Sequence, residues 1–242
     1  NTGGYNETLY KVASGDHPFD YDEYYGIFKK SFEKFYNFVI GLGFTMTNAC
    51  YPMSIDAEDS DDLSAVYEAT ASDPVITFTK KEKVALFSAL YDTIPEYRSK
   101  IRIFSPRVSL LSVIREYNNE KIDKTYACKG GIDYFFVDSR DGNTYPCGYR
   151  GADNFGSFES INLKKIKSNA FCKKCDWECF RDPSALFGPV SYPSTLIKKL
   201  FNDREYLKIW KQDLSYYKTC AFFNGRIPPN FNKLEKFKMT SS

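Results

Sequence analysis

The residues of this chain best equipped for chemistry are its thiols. Five of the seven cysteines lie between residues 128 and 179. They are spaced C-x13-G-x4-C (Cys128, Gly142, Cys147) and then C-x2-C-x3-C (Cys172, Cys175, Cys179). Thiolates are soft ligands, and a cluster of this density suits an iron–sulfur centre or zinc. Cys172 and Cys175 can reach one centre from a single tight turn. Cys128 and Cys147 flank a stretch that reads as a β-hairpin, with IDYFFV (132–137) as one strand and an Asp-Gly turn at Asp141-Gly142. Antiparallel pairing brings the two strand ends together, so the hairpin and the C-x2-C pair make a four-thiolate cage. Loops poor in regular structure gain order from such ligation, by roughly 10–16 kcal/mol for a structural zinc. Spacing alone leaves iron–sulfur and zinc open, because zinc ribbons also use C-x2-C pairs. The bland alternative is a set of buried, unligated thiols.

Other reactive groups are few. His17 is the single histidine, which argues against two-His metal sites and Ser/Cys–His triads and reads as an exposed loop residue. Trp177, between Cys175 and Cys179, is expected to shield a metal centre from water. Arg181 and Asp182 are expected to pair with each other. The acids Asp56, Glu58, Asp59, Asp61 and Asp62 lack the glycine and final glutamate of a calcium loop and read as a solvated helix start over 61–71.

Bulk properties narrow the classes. The 242 residues carry 33 Lys and Arg against 31 Asp and Glu, a net charge of +2. That balance gives no electrostatic case for nucleic acid or an anionic membrane as partner. No apolar run is long enough to span a bilayer, and NTGGYNETLY has neither the basic start nor the apolar core of a secretory leader. Cysteines that are odd in number, with Cys50 and Cys220 remote from the rest, point to a reducing, cytoplasmic compartment rather than a disulfide scaffold.

The elements that must position the thiols can be read from periodicity. Residues 22–42 predict a helix whose core stripe is Ile27, Phe28, Phe32, Phe35, Phe38, Val39 and Leu42, stopped by Gly41 and Gly43. FTMTNACY (44–51) predicts a short strand. Thr79 and Glu82 form a capping box for a helix to about residue 92, ending before Pro95. KIRIF (100–104) predicts a strand, and Pro106 opens a helix over 107–117. Alternation of this kind predicts an α/β chain with mostly parallel strands. Residues 148–190 predict little regular structure. Further on, Leu196, Ile197, Leu200 and Phe201 form one helical stripe. Asn202 and Glu205 resemble a second capping box, Leu207, Trp210 and Leu214 point inward, and the basic last fifteen residues are expected to fray.

C-x13-G-x4-C followed by C-x2-C, within CKGG, DGNTYPCGY and FCKKCDWECF, resembles the auxiliary-cluster domain of radical S-adenosylmethionine enzymes, in its SPASM and shorter twitch forms. The resemblance implies an auxiliary [4Fe-4S] cluster on Cys128, Cys147, Cys172 and Cys175. Cys179 would be an alternative fourth ligand or a nearby free thiol, and Cys220 a less favoured candidate. The run C-x2-C-x3-C departs from the full SPASM pattern and favours one auxiliary cluster. The family likeness extends upstream. Residues 1–118 look like the second half of a partial (β/α)6 TIM-like barrel, followed over 119–242 by a small hairpin-plus-helix auxiliary-cluster domain. NTGG would be the tail of the fourth strand, and FTMTNACY and IRIF the fifth and sixth. Polar residues at strand carboxyl ends would then face the cofactor, namely Asn48 and Ser105, with Lys11 placed for the methionyl carboxylate. Each has a bland reading as loop or cap. The family's C-x3-C-x2-C motif for the second, catalytic [4Fe-4S] cluster does not occur, so the first half of the barrel is expected on a preceding stretch of chain or a separate fragment. The implied reaction is hydrogen abstraction after reductive cleavage of S-adenosylmethionine. It would use a peptide or small-molecule substrate and an electron donor such as flavodoxin or ferredoxin. A zinc-stabilised binding module without activity is the competing class.

Overall fold

In the computed structural model, which describes residues 18–49, 66, 78–118, 128–164, 166, 175–221 and 229–238, the first described helix is α1 (Tyr21–Gly41). Asp20 caps it by accepting the Glu23 N–H at 2.8 Å. Its buried face is the i, i+4 row Tyr24, Phe28, Phe32 and Tyr36. The expected stripe was too broad: Phe38 and Leu42 are 65% and 59% exposed. Four aromatics already fill the contact with the next helix, and the positions one step round the helix face outward.

That next helix, α2 (Lys80–Tyr97), opens with the capping box read from sequence, Thr79 Oγ1 accepting from Glu82 N and Glu82 from Thr79 N. It does not stop before Pro95 but continues to Tyr97. Proline removes the N–H that would bond the carbonyl four residues back. Here that carbonyl, Tyr91 O, accepts Arg107 Nε at 3.0 Å instead.

Strands β1 (Met46–Thr47) and β2 (Arg102–Ile103) flank α2 in sequence and pair in parallel, Met46 with Arg102 and Thr47 with Ile103. Both are shorter than the sequence predicts. Helix α3 (Arg107–Tyr117) follows where expected. Helices α1, α2 and α3 with β2 enclose one core, including Phe28, Phe32, Phe87, Leu90, Ile103, Leu110 and Val113. The stretch 61–71 lies outside the described residues.

A hairpin comes next, β3 (Phe136–Val137) against β4 (Thr144–Tyr145), with Phe136 opposite Tyr145 and Val137 opposite Thr144. Gly142 sits in its turn at φ +72°, a conformation that an L side chain strains to adopt. Residues 178–191 depart from the sequence reading, because they form helix α4 (Glu178–Ser191) with Pro183 and Pro189 inside it. Prolines argue against a helix interior, but the cost of Pro189 is offset by a side chain from a later helix. Ala185 O, which Pro189 leaves without its N–H, accepts Tyr206 Oη at 3.0 Å.

Helices α5 (Pro193–Asn202) and α6 (Arg204–Thr219) close the described structure against α3 and α4. The cap of α6 is Asp203, which accepts Tyr206 N at 3.0 Å, not Asn202. Ile197 is exposed, whereas Leu207, Trp210 and Ile209 pack with Val108 and Leu111 of α3. A short helix α7 (Phe231–Leu234) and a 3-10 turn (Glu235–Phe237) dock rather than fray. Leu234 is fully buried, and the Phe237 ring lies 5.4 Å from that of Tyr216. The protein is thus mixed α and β, mostly helical. Among the described residues no helix is long and apolar enough to cross a membrane.

Candidate metal centre

The hairpin and the head of α4 bring three of the five candidate thiols onto one aromatic cluster. Cys147 is buried there with Tyr149, Trp177 and Phe180, and Cys128, Cys175, Tyr134 and Phe136 pack against it. The route is built from the hairpin outward. β4 leads directly into Pro146 and Cys147. The chain before β3 folds back so that Gly130 passes the Pro146 carbonyl, and a Cβ on Gly130 would lie 2.8 Å from that oxygen. Only glycine allows this approach, which sets Cys128 beside Cys147. The same segment is tied to α4 by Lys129 N donating to Ser184 Oγ at 3.0 Å.

Two of the sulfurs receive a backbone donor from the residue two positions on. Gly130 N–H donates to Cys128 Sγ at 3.3 Å, and Trp177 N–H donates to the Cys175 sulfur. Amide donors of this kind stabilise a thiolate and tune metal–sulfur centres. Burial pushes the Cys175 thiol well above the ordinary cysteine range, and the nearby Cys128 and Cys147 add to it. A thiol held protonated in this way is a weak nucleophile.

Surrounding groups hold the Cys175 turn from the helical core. Asp176 is fully buried and accepts Lys83 Nζ at 2.5 Å and Tyr117 Oη at 2.9 Å. Arg181 donates to Cys175 O at 3.2 Å and to Glu116 Oε2 at 2.6 Å. The expected Arg181–Asp182 pair is therefore not the one made, since Arg181 reaches across to α3 while Asp182 is buried. Trp177 lies against the thiols, 6% exposed, its ring 5.3 Å from Tyr149 and 5.0 Å from Phe180.

The remaining candidates divide. Cys179 is exposed in the first turn of α4. Cys220 caps the end of α6 in a different core, with Leu186, Tyr216, Tyr217 and Leu234. Asn48 and Ser105 do meet, Ser105 Oγ donating to Asn48 Oδ1 at 2.6 Å just beyond the carboxyl ends of the parallel pair. Lys11, His17, Cys50 and Cys172 lie outside the described residues. Among the described residues no group of three or more His, Cys, Asp or Glu side chains is arranged to hold a metal ion. Cys128, Cys147 and Cys175 nonetheless share one apolar wall, two of them with backbone amide donors. Sequence reasoning missed Lys83, Tyr117 and Gly130. The doubled glycine of CKGG was the one signal that could have marked a close backbone approach.

No protein-family model, curated protein or solved structure matches the chain.

Proposed function

We propose that this chain is the C-terminal portion of a radical S-adenosylmethionine enzyme that modifies a peptide or small molecule by hydrogen abstraction, and that it carries an auxiliary [4Fe-4S] cluster. Cys128, Cys147 and Cys175 would hold that cluster, with Cys172 as fourth ligand. The observation that carries the reading is the gathering of those three thiols on one aromatic wall, two of them with amide N–H donors. The parallel strands on either side of α2, with Asn48 and Ser105 joined at their carboxyl ends, support the partial (β/α)6 barrel as the setting.

When bound, the cluster supplies a one-electron redox centre or an iron site for a substrate ligand. The chain's own residues account for the rest. Gly130 and Trp177 stabilise thiolate charge through their N–H groups. Trp177, Phe180 and Tyr149 exclude water. Asp176 and Arg181 lock the Cys175 turn onto α2 and α3, so the ligands are held before binding. Asn48 and Ser105 offer an amide and a hydroxyl to orient a polar ligand, with Lys11 proposed for a carboxylate. The C-x3-C-x2-C motif is absent from these 242 residues, so they do not supply the ligands of the second, S-adenosylmethionine-binding [4Fe-4S] cluster. Electrons would come from a flavodoxin- or ferredoxin-like donor in the cytoplasm.

Anaerobic reconstitution of the chain with iron and sulfide tests the reading. The expected product is brown, with about four iron and four sulfide per chain. Alanine at Cys128, Cys147, Cys172 or Cys175 should lower the iron content, whereas Cys220→Ala should not. A colourless protein that takes zinc in preference to iron would replace this reading with the zinc-stabilised binding module.

A further inference from the structure

The C-terminal end of α2, the start of α3, the middle of α6 and the Glu235–Phe237 turn enclose a half-open cavity of about 360 Å³. Four cations line it: Arg98, Arg107, Lys211 and Lys236. One carboxylate, Asp213, sits among them, and both its oxygens are engaged. Arg98 Nη2 donates to one at 2.5 Å and Val108 N–H to the other at 2.9 Å. Neighbouring acids are committed elsewhere. Asp92 accepts Tyr25 Oη at 3.0 Å, Glu96 pairs with Lys29 at 3.2 Å and Glu205 pairs with Arg115. Of the residues that line the cavity, four are cationic and none is acidic. Among the described residues neither Lys211 nor Lys236 has a carboxylate within ion-pair distance.

Two of these cations are buried. Arg98 lies 4.6 Å from the Tyr216 ring, and its Nε is buried without a hydrogen-bond acceptor. Arg107 stacks 3.8 Å over Tyr91. Burial pulls the Arg107 pKa below its ordinary value, and the Arg98 charge acts in the same direction. A buried donor without an acceptor carries a desolvation cost that an anion reaching it would relieve.

We propose that this cavity binds a phosphate-bearing small molecule, its anionic head among Arg98, Arg107, Lys211 and Lys236 and its organic part against Pro95 and Phe237. Guanidinium forks match phosphate oxygens, and lysine adds a mobile point charge. Gln212 and Ser215 add neutral donors on the same wall. The volume is that of a small-ligand site. The cavity shares no lining residue with the thiol cluster, and the proposal stands or falls independently of it.

Calorimetric titration of the 242-residue chain with phenyl phosphate and with inorganic phosphate, at matched ionic strength, tests this. One saturable site per chain is expected, with phenyl phosphate about tenfold tighter than inorganic phosphate because of the apolar wall. Lys211 and Lys236 are exposed, so the K211A/K236A variant should keep the unliganded melting temperature and lose at least about tenfold in phenyl phosphate affinity. Lys211→Arg should retain it. Absence of saturable binding, or equal binding by wild type and K211A/K236A, overturns the site. Equal affinity for the two phosphates overturns the organic-ligand assignment.

Discussion

Asp182 shows how one buried carboxyl records its surroundings. It is 3% exposed on α4, and its pKa is raised to about 8. Burial is the main cause, and the nearby Glu178 charge adds to it. The unfolded chain titrates this group near an ordinary aspartate value of about 3.9. Between those values the folded state therefore holds one proton more than the unfolded state. Stability from this residue is fully present at the acid end and falls by about 1.4 kcal/mol per pH unit up to pH about 8. Asp182→Asn should flatten that slope in urea midpoints measured across the window, and unchanged slopes in the variant would exclude the assignment. The cysteines give a second test at this scale. In the metal-free protein Cys179 is exposed, while Cys147 and Cys220 are buried and burial raises the Cys175 thiol pKa. Alkylation followed by mass spectrometry should label Cys179 before Cys147, Cys175 and Cys220. Labelling of Cys175 first would contradict the burial described here.

At the scale of elements, two helices run through prolines: α2 past Pro95, before which the sequence reading ended it, and α4 through Pro183 and Pro189, where that reading expected little regular structure. In each the carbonyl left without its N–H is met by a side chain from another helix, Tyr91 O by Arg107 and Ala185 O by Tyr206. Tyr206→Phe should cost about 1 kcal/mol. In a Pro189→Ala background the restored N–H competes for the same carbonyl, so the cost of Tyr206→Phe should shrink. A double-mutant cycle in urea reads this coupling directly, and strict additivity would refute it. Gly130 makes the parallel case in the hairpin. Gly130→Ala drives a Cβ into Pro146 O and should destabilise by about 1–3 kcal/mol while lowering iron uptake. An alanine variant that melts and loads iron like wild type would remove the close approach from the account of the centre.

For the molecule as a whole, Asp176 is the joint between the cysteine turn and the helical core. Lys83 on α2, buried, and Tyr117 on α3, half-buried, both donate to it. Removing one member of a buried ion pair leaves the other charge stranded, at a cost of about 3–5 kcal/mol. Asp176→Ala should lower stability by that amount in denaturant titrations and loosen the Cys175 turn, with faster alkylation of Cys175. Unchanged stability together with unchanged Cys175 reactivity would show that the two halves do not depend on this contact. Asp213 plays the corresponding part further along the chain, joining Arg98 to the start of α3.

Local patterns carried much of this protein. The capping box at Thr79, the Asp-Gly hairpin turn and the bounds of α3 depend on groups a few residues apart, and adjacent chemistry settles them. The parallel strand pair also followed from the alternation of helix and strand, whereas the bond between Ser105 and Asn48 did not. What local pattern could not supply was the identity of distant partners. The helix through Pro183 and Pro189 depends in part on a tyrosine from α6, the Cys175 turn on a lysine and a tyrosine from α2 and α3, and the cationic cavity on four separate segments. Buried charges and orphaned carbonyls must find partners wherever the chain places them. Those pairings are set by packing over long sequence separations, and only the tertiary structure decides them.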